Sequence, residues 1–196
     1  MVSSVCDVQI QRTDGQWYSA EYSTFSISDE ASKYRLTVSG YTGDAGDPIT
    51  AAQRSIFNAD GRMFSTPDSD NDDCPCSCAV PRGGGWWYAW CTTSQLNNNQ
   101  AVLWSTTHFD ADVQNTRMLV KVIPSFTVQL LPSYGWILMQ RKVSGGSVSF
   151  NQNWAAYRDG FGSVTGNDNY WLGLDKIHRL MQLSSANLRV EVCKLR

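Results

Sequence analysis

The sequence predicts an α+β fold made of antiparallel sheets with few, short helices. Two observations support this class. Several short stretches alternate apolar and polar residues between turn residues, which is the pattern of half-buried strands. Only two stretches show the spacing of an amphipathic helix. The chain has 196 residues, with no internal repeat and no clear linker, so we expect a single domain that covers residues 1–196.

The predicted strands follow one another along the whole chain. They are 8–11, 17–27, 34–39, 101–104, 118–123, 126–131, 136–142 and 188–192. Turn signals separate some of them, at residues 13–15 and 132–135. A single helical turn is expected at residues 28–31, and a weak pattern at residues 50–60 suggests a short helix.

Two longer helices complete the predicted elements. The first covers residues 150–158, with aromatic side chains on one face and Gly160 at its end. The second covers residues 174–183, with apolar side chains on one face and Asp175 near its start.

The composition argues against several classes of function. A formal net charge of -2 does not favour a nucleic-acid partner or an anionic membrane surface. No apolar run is long enough for membrane insertion, and the N-terminus lacks the basic and apolar regions of a signal peptide. His108 and His178 are isolated, and no nucleophile–base, zinc-protease or phosphate-binding motif is present. We therefore do not expect an enzyme.

The cysteines favour an oxidising compartment. The six that permit complete pairing are Cys6, Cys74, Cys76, Cys78, Cys91 and Cys193. The four within residues 74–91 could instead form a four-thiolate metal site, but their C-x-C-x-C spacing is not that of the common zinc modules. Disulfide bonds, and hence an extracellular, secreted protein, are the preferred interpretation.

An acidic loop carries a candidate metal site. Carboxylates occur at Asp68, Asp70 and Asp72, on every second residue, and Asp73 follows. Several hard oxygens in one loop suit Ca²⁺, which accepts flexible geometry, better than Mg²⁺. The loop is not an EF-hand, because Asp73 stands where that motif needs Gly and Ala79 where it needs Glu. The alternative is a solvated acidic turn without a metal.

The residues after this loop suggest a wall of a binding site. Three glycines, Gly83–85, let the backbone pass close to another group, and Trp86, Trp87 and Tyr88 follow directly. Aromatic side chains in such a position bind sugars or proteins, or else they pack in the core. We expect core packing for at least one of the tryptophans.

Longer motifs resemble those of one known family. The segments GWILMQRK (135–142), GSVSFNQNWAAYRDGFG (146–162) and NYWLGLDKIHRL (169–180) resemble the first half of the fibrinogen C-terminal domain, the fibrinogen-like domain of ficolins, angiopoietins and tachylectins. The segments MFSTPDSDNDDC (63–74) and GGWWYAWC (84–91) resemble its second half. The resemblance covers nearly the whole chain and implies the fibrinogen C-terminal-like α+β fold.

The two halves occur in reversed order, as in a circular permutation. Residues 8–123 resemble the second half of the family and residues 126–192 the first half. The new ends would separate two strands that are otherwise consecutive strands of a hairpin. Our hypothesis is that a disulfide between Cys6 and Cys193 closes this cut and restrains the unfolded chain.

The resemblance also implies a calcium site in the acidic loop. The side chains of Asp70 and Asp72 and the backbone carbonyls of Cys74 and Cys76 are the implied ligands of Ca²⁺, and Asp68 lies nearby.

By the same resemblance, Cys78 and Cys91 form a disulfide, which removes these two from any zinc site. Cys74 and Cys76 are additional to the family pattern. They remain open to three interpretations: a strained local bridge, free thiols, or bridges to other chains. The peptide bond before Cys91 is expected to be cis, as is frequent in the family.

The family binds acetylated sugars or a peptide N-terminus beside the calcium loop, so the main prediction is a secreted, calcium-binding lectin for acetylated or acidic glycans. The predicted ligand-binding residues are Arg82, Trp86, Trp87, Tyr88, Trp90, Cys91, Thr92 and Trp104. The alternative is a non-catalytic protein-binding or adhesion module. Partners would be glycans or glycoproteins, and because single sites bind weakly we expect avidity to require a homo-oligomer.

Overall fold

A sheet of eight strands dominates the computed structural model, which describes residues 9–11, 17–50, 55–99, 102–105, 113, 115–122, 135–183 and 186–193. The strands are β1 Gln9–Gln11, β2 Trp17–Ile27, β3 Leu36–Gly43, β6 Asn115–Val122, β7 Ile137–Lys142, β8 Phe161–Gly162, β9 Tyr170–Trp171 and β10 Ala186–Cys193. Their order across the sheet is β3-β2-β1-β10-β6-β7-β9-β8. A separate pair joins β4 Ser94–Gln95 to β5 Leu103–Trp104.

All neighbouring strands of the large sheet are antiparallel except one pair. β1 lies beside β10 and is parallel to it, with Gln9 opposite Glu191 and Ile10 opposite Val192. The sequence predicted that these two segments correspond to the antiparallel strands of a hairpin. They are neighbours, as predicted, but they are parallel, so the predicted direction was wrong. Strand pairing is decided by contacts distant in sequence, which local patterns do not reveal.

The helices are short. They are α1 Ala79–Arg82, α2 Trp154–Asp159 and α3 Leu174–Leu183, and a 3₁₀ turn covers Ser55–Phe57. α3 matches its predicted bounds. α2 begins later than predicted because Asn153 caps it, its side chain accepting a hydrogen bond from the backbone N–H of Ala156 at 2.9 Å.

The strand prediction holds best for β2, whose bounds match. β3 begins two residues later than predicted, because Lys33 and Tyr34 have φ values of 57° and 47°, which no strand adopts. The predicted strand at 126–131 and the predicted turn at 13–15 lie outside the described residues.

An aromatic cluster joins the sheet to the long loop between β3 and β4. The buried Phe64 ring lies 5.0 Å from Trp87 edge-on, 5.2 Å from Tyr157 and 6.0 Å from Trp171 between ring centroids. A Cβ atom added to Gly85 would approach Phe64 to 2.7 Å, so only glycine fits here. Gly85 therefore lets the backbone pass close to side chains of the core, which is the kind of close approach that the glycine run predicted.

Among the described helices, none combines the length and the hydropathy that a membrane crossing requires.

Candidate functional site

The candidate site lies in the segment 64–99, called here the bridge loop. Its two arms are tied at Ser65 and Trp86, whose backbone N–H and carbonyl groups form reciprocal hydrogen bonds of 2.9 and 3.1 Å. The Asn71 side chain reaches back to the carbonyl of Phe64 at 2.9 Å. Polar side chains thus replace a strand ladder in shaping this part of the chain.

Asp72 organises the turn that contains the cysteines. One carboxylate oxygen accepts the backbone N–H of Cys74 and the other accepts that of Cys78, both at 2.9 Å. Burial raises the pKa of Asp72 above its usual value, and the negative charge of Asp70 adds to this rise while the two N–H donors oppose it. Two carboxylates that repel each other here would both be stabilised by a cation.

The other two acidic residues of the loop have protein partners. Asp68 accepts hydrogen bonds from the Thr66 hydroxyl at 2.7 Å and from the backbone N–H of Trp154 at 2.8 Å, which ties the loop to the first residue of α2. Asp73 forms an ion pair with Arg62. Asp70 accepts the backbone N–H of Asp72 at 3.3 Å and Asp72 accepts those of Cys74 and Cys78, so a metal held by this pair would share its carboxylates with the backbone of the turn.

The donor set fits Ca²⁺ only if backbone carbonyls contribute. Among the described residues, the three potential metal-ligating side chains that lie close enough to share one ion are Cys74, Cys78 and Cys91. No third carboxylate of the described residues lies in such a group with Asp70 and Asp72. Two hard carboxylates on a flexible loop nevertheless suit Ca²⁺ better than a metal that needs strict octahedral geometry.

The predicted disulfide between Cys78 and Cys91 is confirmed, with a Cα–Cα distance of 5.2 Å. Cys74 and Cys76 are free thiols in this structure, and their sulfur atoms lie 2.6 Å apart. The interaction of the Cys76 thiol with Cys74, in which the protonated Cys76 thiol acts as donor, raises the pKa of Cys76. Cys6 and the side chain of Cys193 lie outside the described part, so their pairing stays a prediction.

Most of the predicted binding wall proves to be core. The side chains of Trp86, Trp87, Tyr88 and Trp104 are buried, and Thr92 is 6 % exposed. Their polar atoms point inward: the Trp87 indole donates to the Tyr34 carbonyl at 2.8 Å and the Trp104 indole to the Ala45 carbonyl at 2.9 Å. In this structure these side chains are covered by protein, so their burial does not support the predicted wall, and their contact with a ligand stays a prediction. Aromatic residues beside glycines signal close packing in the core as readily as a wall.

The peptide bond before Cys91 is trans, as are all described peptide bonds, so the prediction of a cis bond was wrong. Cys91 instead has a φ of 53° and is partly exposed. Arg82 ends α1 on the rim of the loop, where Gly83 closes the helix in a left-handed conformation with φ 63°.

Three exposed apolar side chains lie on segments that the disulfide and one backbone hydrogen bond connect. Of the predicted wall aromatics only Trp90 is exposed, at 49 %, and its backbone N–H donates to the Ile56 carbonyl at 3.0 Å. Ile56 and Val80 are 47 % and 59 % exposed. Trp90 precedes Cys91 and Val80 follows Cys78 by two residues, so the disulfide holds them in one region. We call Ile56, Val80 and Trp90 the apolar patch. The sequence did not reveal Ile56 or Val80, because exposure of single aliphatic residues has no local signature.

Comparison with known proteins identifies the chain's relatives. The family model of the C-terminal globular domain of fibrinogen beta and gamma chains matches residues 2–118 and 131–195, which confirms the resemblance seen in the sequence. Bovine angiopoietin-4 is 42 % identical over 90 residues, which cover 46 % of this chain and 17 % of the relative. Bovine angiopoietin-related protein 7 is 40 % identical over 90 residues, which cover 46 % of this chain and 24 % of the relative.

Among solved structures, the chain is similar to the fibrinogen-like globe domain of human ANGPTL6, with a TM-score of 0.44 and 21 % identity over 99 % of this chain and 58 % of that chain. A lamprey fibrin D-dimer complexed with the peptide ligand Gly-His-Arg-Pro-amide is similar with a TM-score of 0.45 and 21 % identity, over 96 % of this chain and 45 % of the other.

Proposed function

The chain belongs to the family of C-terminal globular domains of fibrinogen beta and gamma chains, and from this membership we propose that it is a non-catalytic, secreted protein-binding module. Its relatives reported above are angiopoietin-4 and angiopoietin-related protein 7, which favours protein binding over the glycan lectin that we predicted from the sequence. The matched region spans less than a quarter of either relative, so the proposal concerns this domain alone.

The apolar patch is the observation that carries the proposal. Five large hydrophobic side chains are exposed among the described residues, and three of them, Ile56, Val80 and Trp90, belong to this patch. Protein interfaces are enriched in aromatic anchors with aliphatic neighbours, and tryptophan is the residue that most often dominates the binding energy. The disulfide and the backbone hydrogen bond to Ile56 hold Trp90 in place, which lowers the entropic cost of binding.

The lectin alternative is weaker because its wall is buried. A shallow sugar site needs exposed aromatic faces, and Trp86, Trp87 and Trp104 face the core. Arg82 on the rim remains a candidate for pairing with a carboxylate, either of an acidic sugar or of an acidic protein side chain.

We propose in addition that Asp70 and Asp72 bind Ca²⁺ together with nearby backbone carbonyls. The supporting observation is that these carboxylates stand on alternate residues of one turn, close enough that the backbone N–H of Asp72 donates to the Asp70 carboxylate at 3.3 Å. When bound, the cation would supply the positive charge that two adjacent carboxylates lack, and it would stiffen the turn that carries Cys74 and Cys78.

We also propose that the chain is one domain whose halves occur in reversed order. Support comes from the motifs of residues 8–123 and 126–192, whereas the pairing of β1 with β10 adds none, because consecutive strands of a hairpin would be antiparallel and this pair is parallel. The associated disulfide between Cys6 and Cys193 can be tested by tryptic digestion without reductant. A linked pair of peptides, 1–12 with 190–194, is expected, whereas alkylation of both cysteines before digestion would refute the pairing.

The proposed function is tested on an array of purified extracellular receptor domains, each present in glycosylated and enzymatically deglycosylated form. We expect the labelled domain to bind at least one receptor equally well in both forms, and free monosaccharides not to compete. Binding that disappears on deglycosylation, or that N-acetylated or acidic monosaccharides inhibit, would restore the lectin. Absence of binding to every receptor, together with binding to a glycan array, would refute the protein-binding proposal.

A further inference from the structure

We propose that Cys74 is the nucleophile of a thiol–disulfide exchange site that acts on the Cys78–Cys91 disulfide, with Cys76 as its exposed partner. This inference does not rest on the proposed binding function. It rests on the placement of four sulfur atoms in one short region of the bridge loop.

The sulfur atoms form a continuous series. The Sγ atoms of Cys74, Cys78 and Cys91 all lie within 4.8 Å of one another. The Sγ atom of Cys76 lies 2.6 Å from that of Cys74. Exchange requires direct approach of a free sulfur to a bonded one, and the Cys74 sulfur already lies within 4.8 Å of both sulfurs of the disulfide.

The solvent exposure of the cysteines decreases from Cys76 through Cys74 to Cys78. Cys76 is exposed, Cys74 is partly buried, and Cys78 is buried. A thiol or a disulfide-bonded small molecule in solution can therefore react at Cys76, while Cys74 reaches the sulfur of Cys91 from within the protein and Cys78 is the sulfur that leaves. The reactive partners of the site belong to the class of low-molecular-weight thiols and disulfides.

The local backbone holds the reacting groups together. Asp72 accepts hydrogen bonds from the backbone N–H of Cys74 and from that of Cys78, each at 2.9 Å. The backbones of both residues are thus held by one carboxylate, in the same turn in which their sulfur atoms lie close together.

The exchange step is balanced without an external oxidant. The deprotonated sulfur of Cys74 forms a bond to the sulfur of Cys91, and the bond between Cys91 and Cys78 breaks. The electron pair of that bond goes to the sulfur of Cys78, which takes up the proton that Cys74 released. One disulfide and two thiols are present before and after the step, so the reaction is an isomerisation.

Mass spectrometry of the intact domain tests the proposal. The purified protein is held without reductant under argon, then denatured at mildly acidic pH in guanidinium chloride with excess N-ethylmaleimide, so that buried thiols are labelled before they exchange, and digested with trypsin without reduction. Cys74, Cys76 and Cys78 then lie in peptide 63–82 and Cys91 in peptide 83–117, and fragment ions show which cysteines are alkylated. We expect one population labelled at Cys74 and Cys76, and a second labelled at Cys76 and Cys78.

Two serine variants provide matched controls. Cys74→Ser removes the proposed nucleophile and should lower labelling of Cys78 about tenfold or more, whereas Cys76→Ser keeps the nucleophile and should preserve the labelling. Labelling of Cys78 that stays absent from the wild type, or that is equal in the wild type and Cys74→Ser, would overturn the proposal. Loss of the labelling in Cys76→Ser would equally overturn the assignment to Cys74.

Discussion

The eight-stranded sheet and the bridge loop are stabilised in different ways. The sheet is held by long backbone ladders: β6 and β10, for example, are joined through eight consecutive residue pairs, from Ala186 opposite Val122 to Cys193 opposite Asn115. Within the bridge loop, apart from the short pairing of β4 with β5, the described backbone pairing consists of isolated bridges such as that between Ser65 and Trp86. Backbone ladders tolerate many side chains, whereas a loop without ladders depends on a few particular ones.

Three kinds of side-chain interaction replace the ladder in the bridge loop. Asp72 and Asn71 satisfy backbone groups, the Cys78–Cys91 disulfide joins the two arms, and Trp87 anchors the loop in the aromatic cluster. Val80 and Trp90 of the apolar patch lie on the bridge loop, and Ile56 lies in the 3₁₀ turn that precedes it. We infer that the sheet supplies a rigid support and that the loop supplies the binding residues, each fixed by its own contacts.

The largest effect is expected where the two regions meet. Trp87→Ala removes a buried ring that packs against Phe64 and donates to the Tyr34 carbonyl, so the free energy of unfolding should fall by about 3–5 kcal/mol. Trp90→Ala removes an exposed ring of the same type and should change it by less than about 0.5 kcal/mol. Urea denaturation of both variants measures the difference. Equal losses would show that burial does not distinguish the two tryptophans.

A smaller loss is expected from opening the disulfide. The double variant Cys78→Ala, Cys91→Ala frees a loop with a sequence separation of 13 and should lower the free energy of unfolding by about 2–4 kcal/mol. The matched double variant Cys74→Ser, Cys76→Ser removes two thiols without a bond between them and should cost much less. Thermal unfolding without reductant compares the two. A similar cost for both would argue against a structural role for the disulfide.

Calcium should stabilise the bridge loop selectively. At a free Ca²⁺ concentration about 100 times its dissociation constant, the stabilisation should be about 2.7 kcal/mol, seen as a higher midpoint of thermal unfolding. Asp70→Asn with Asp72→Asn should abolish this shift. Asp73→Asn, which removes an acidic side chain that pairs with Arg62, should preserve it. An equal shift with Mg²⁺, or a shift that survives the loss of Asp70 and Asp72, would contradict the proposed site.

The smallest predicted effect concerns acid stability outside the bridge loop. Hydrogen bonds from the Ser147 hydroxyl and from the backbone N–H groups of Asn169 and Val148 lower the pKa of Asp168 below 3.8. Because the folded-state pKa is lowered, its contribution to stability is present above 3.8 and is lost as the pH falls through the lowered value. Asp168→Asn should therefore unfold with a weaker dependence on pH in this acidic range. The free energy of unfolding is measured by denaturation between pH 2 and 5. If it changes with pH as steeply in Asp168→Asn as in the wild type, Asp168 does not contribute to acid stability.

The sequence predicted those parts of the molecule that local patterns determine. β2 and α3 match their predicted bounds, because apolar periodicity over ten or more residues reflects a single buried face. The parallel pairing of β1 with β10 could not be predicted, since it depends on contacts between opposite ends of the chain.

The candidate site was predicted in part. The disulfide and the family were correctly predicted from long motifs. Whether the aromatic side chains face the core or the surface was not correctly predicted. A glycine run beside tryptophans allows close packing against the core as well as against a ligand. Gly85 faces Phe64 and Tyr157, so the neighbouring Trp86 and Trp87 belong to the core and Trp90 alone of the predicted wall tryptophans reaches the surface.

The central claim is that binding residues lie on the bridge loop, and it is tested most directly by comparing two exposed positions. Affinity for a receptor found on the array is measured by surface plasmon resonance for the wild type, Trp90→Asp and Val164→Asp. Both side chains are about half exposed, but Val164 lies outside the apolar patch. We predict that Trp90→Asp weakens binding about 30-fold, as loss of a tryptophan anchor worth about 2 kcal/mol would, and that Val164→Asp changes it less than about twofold. Equal weakening by both variants, or unchanged binding by Trp90→Asp, would contradict this account.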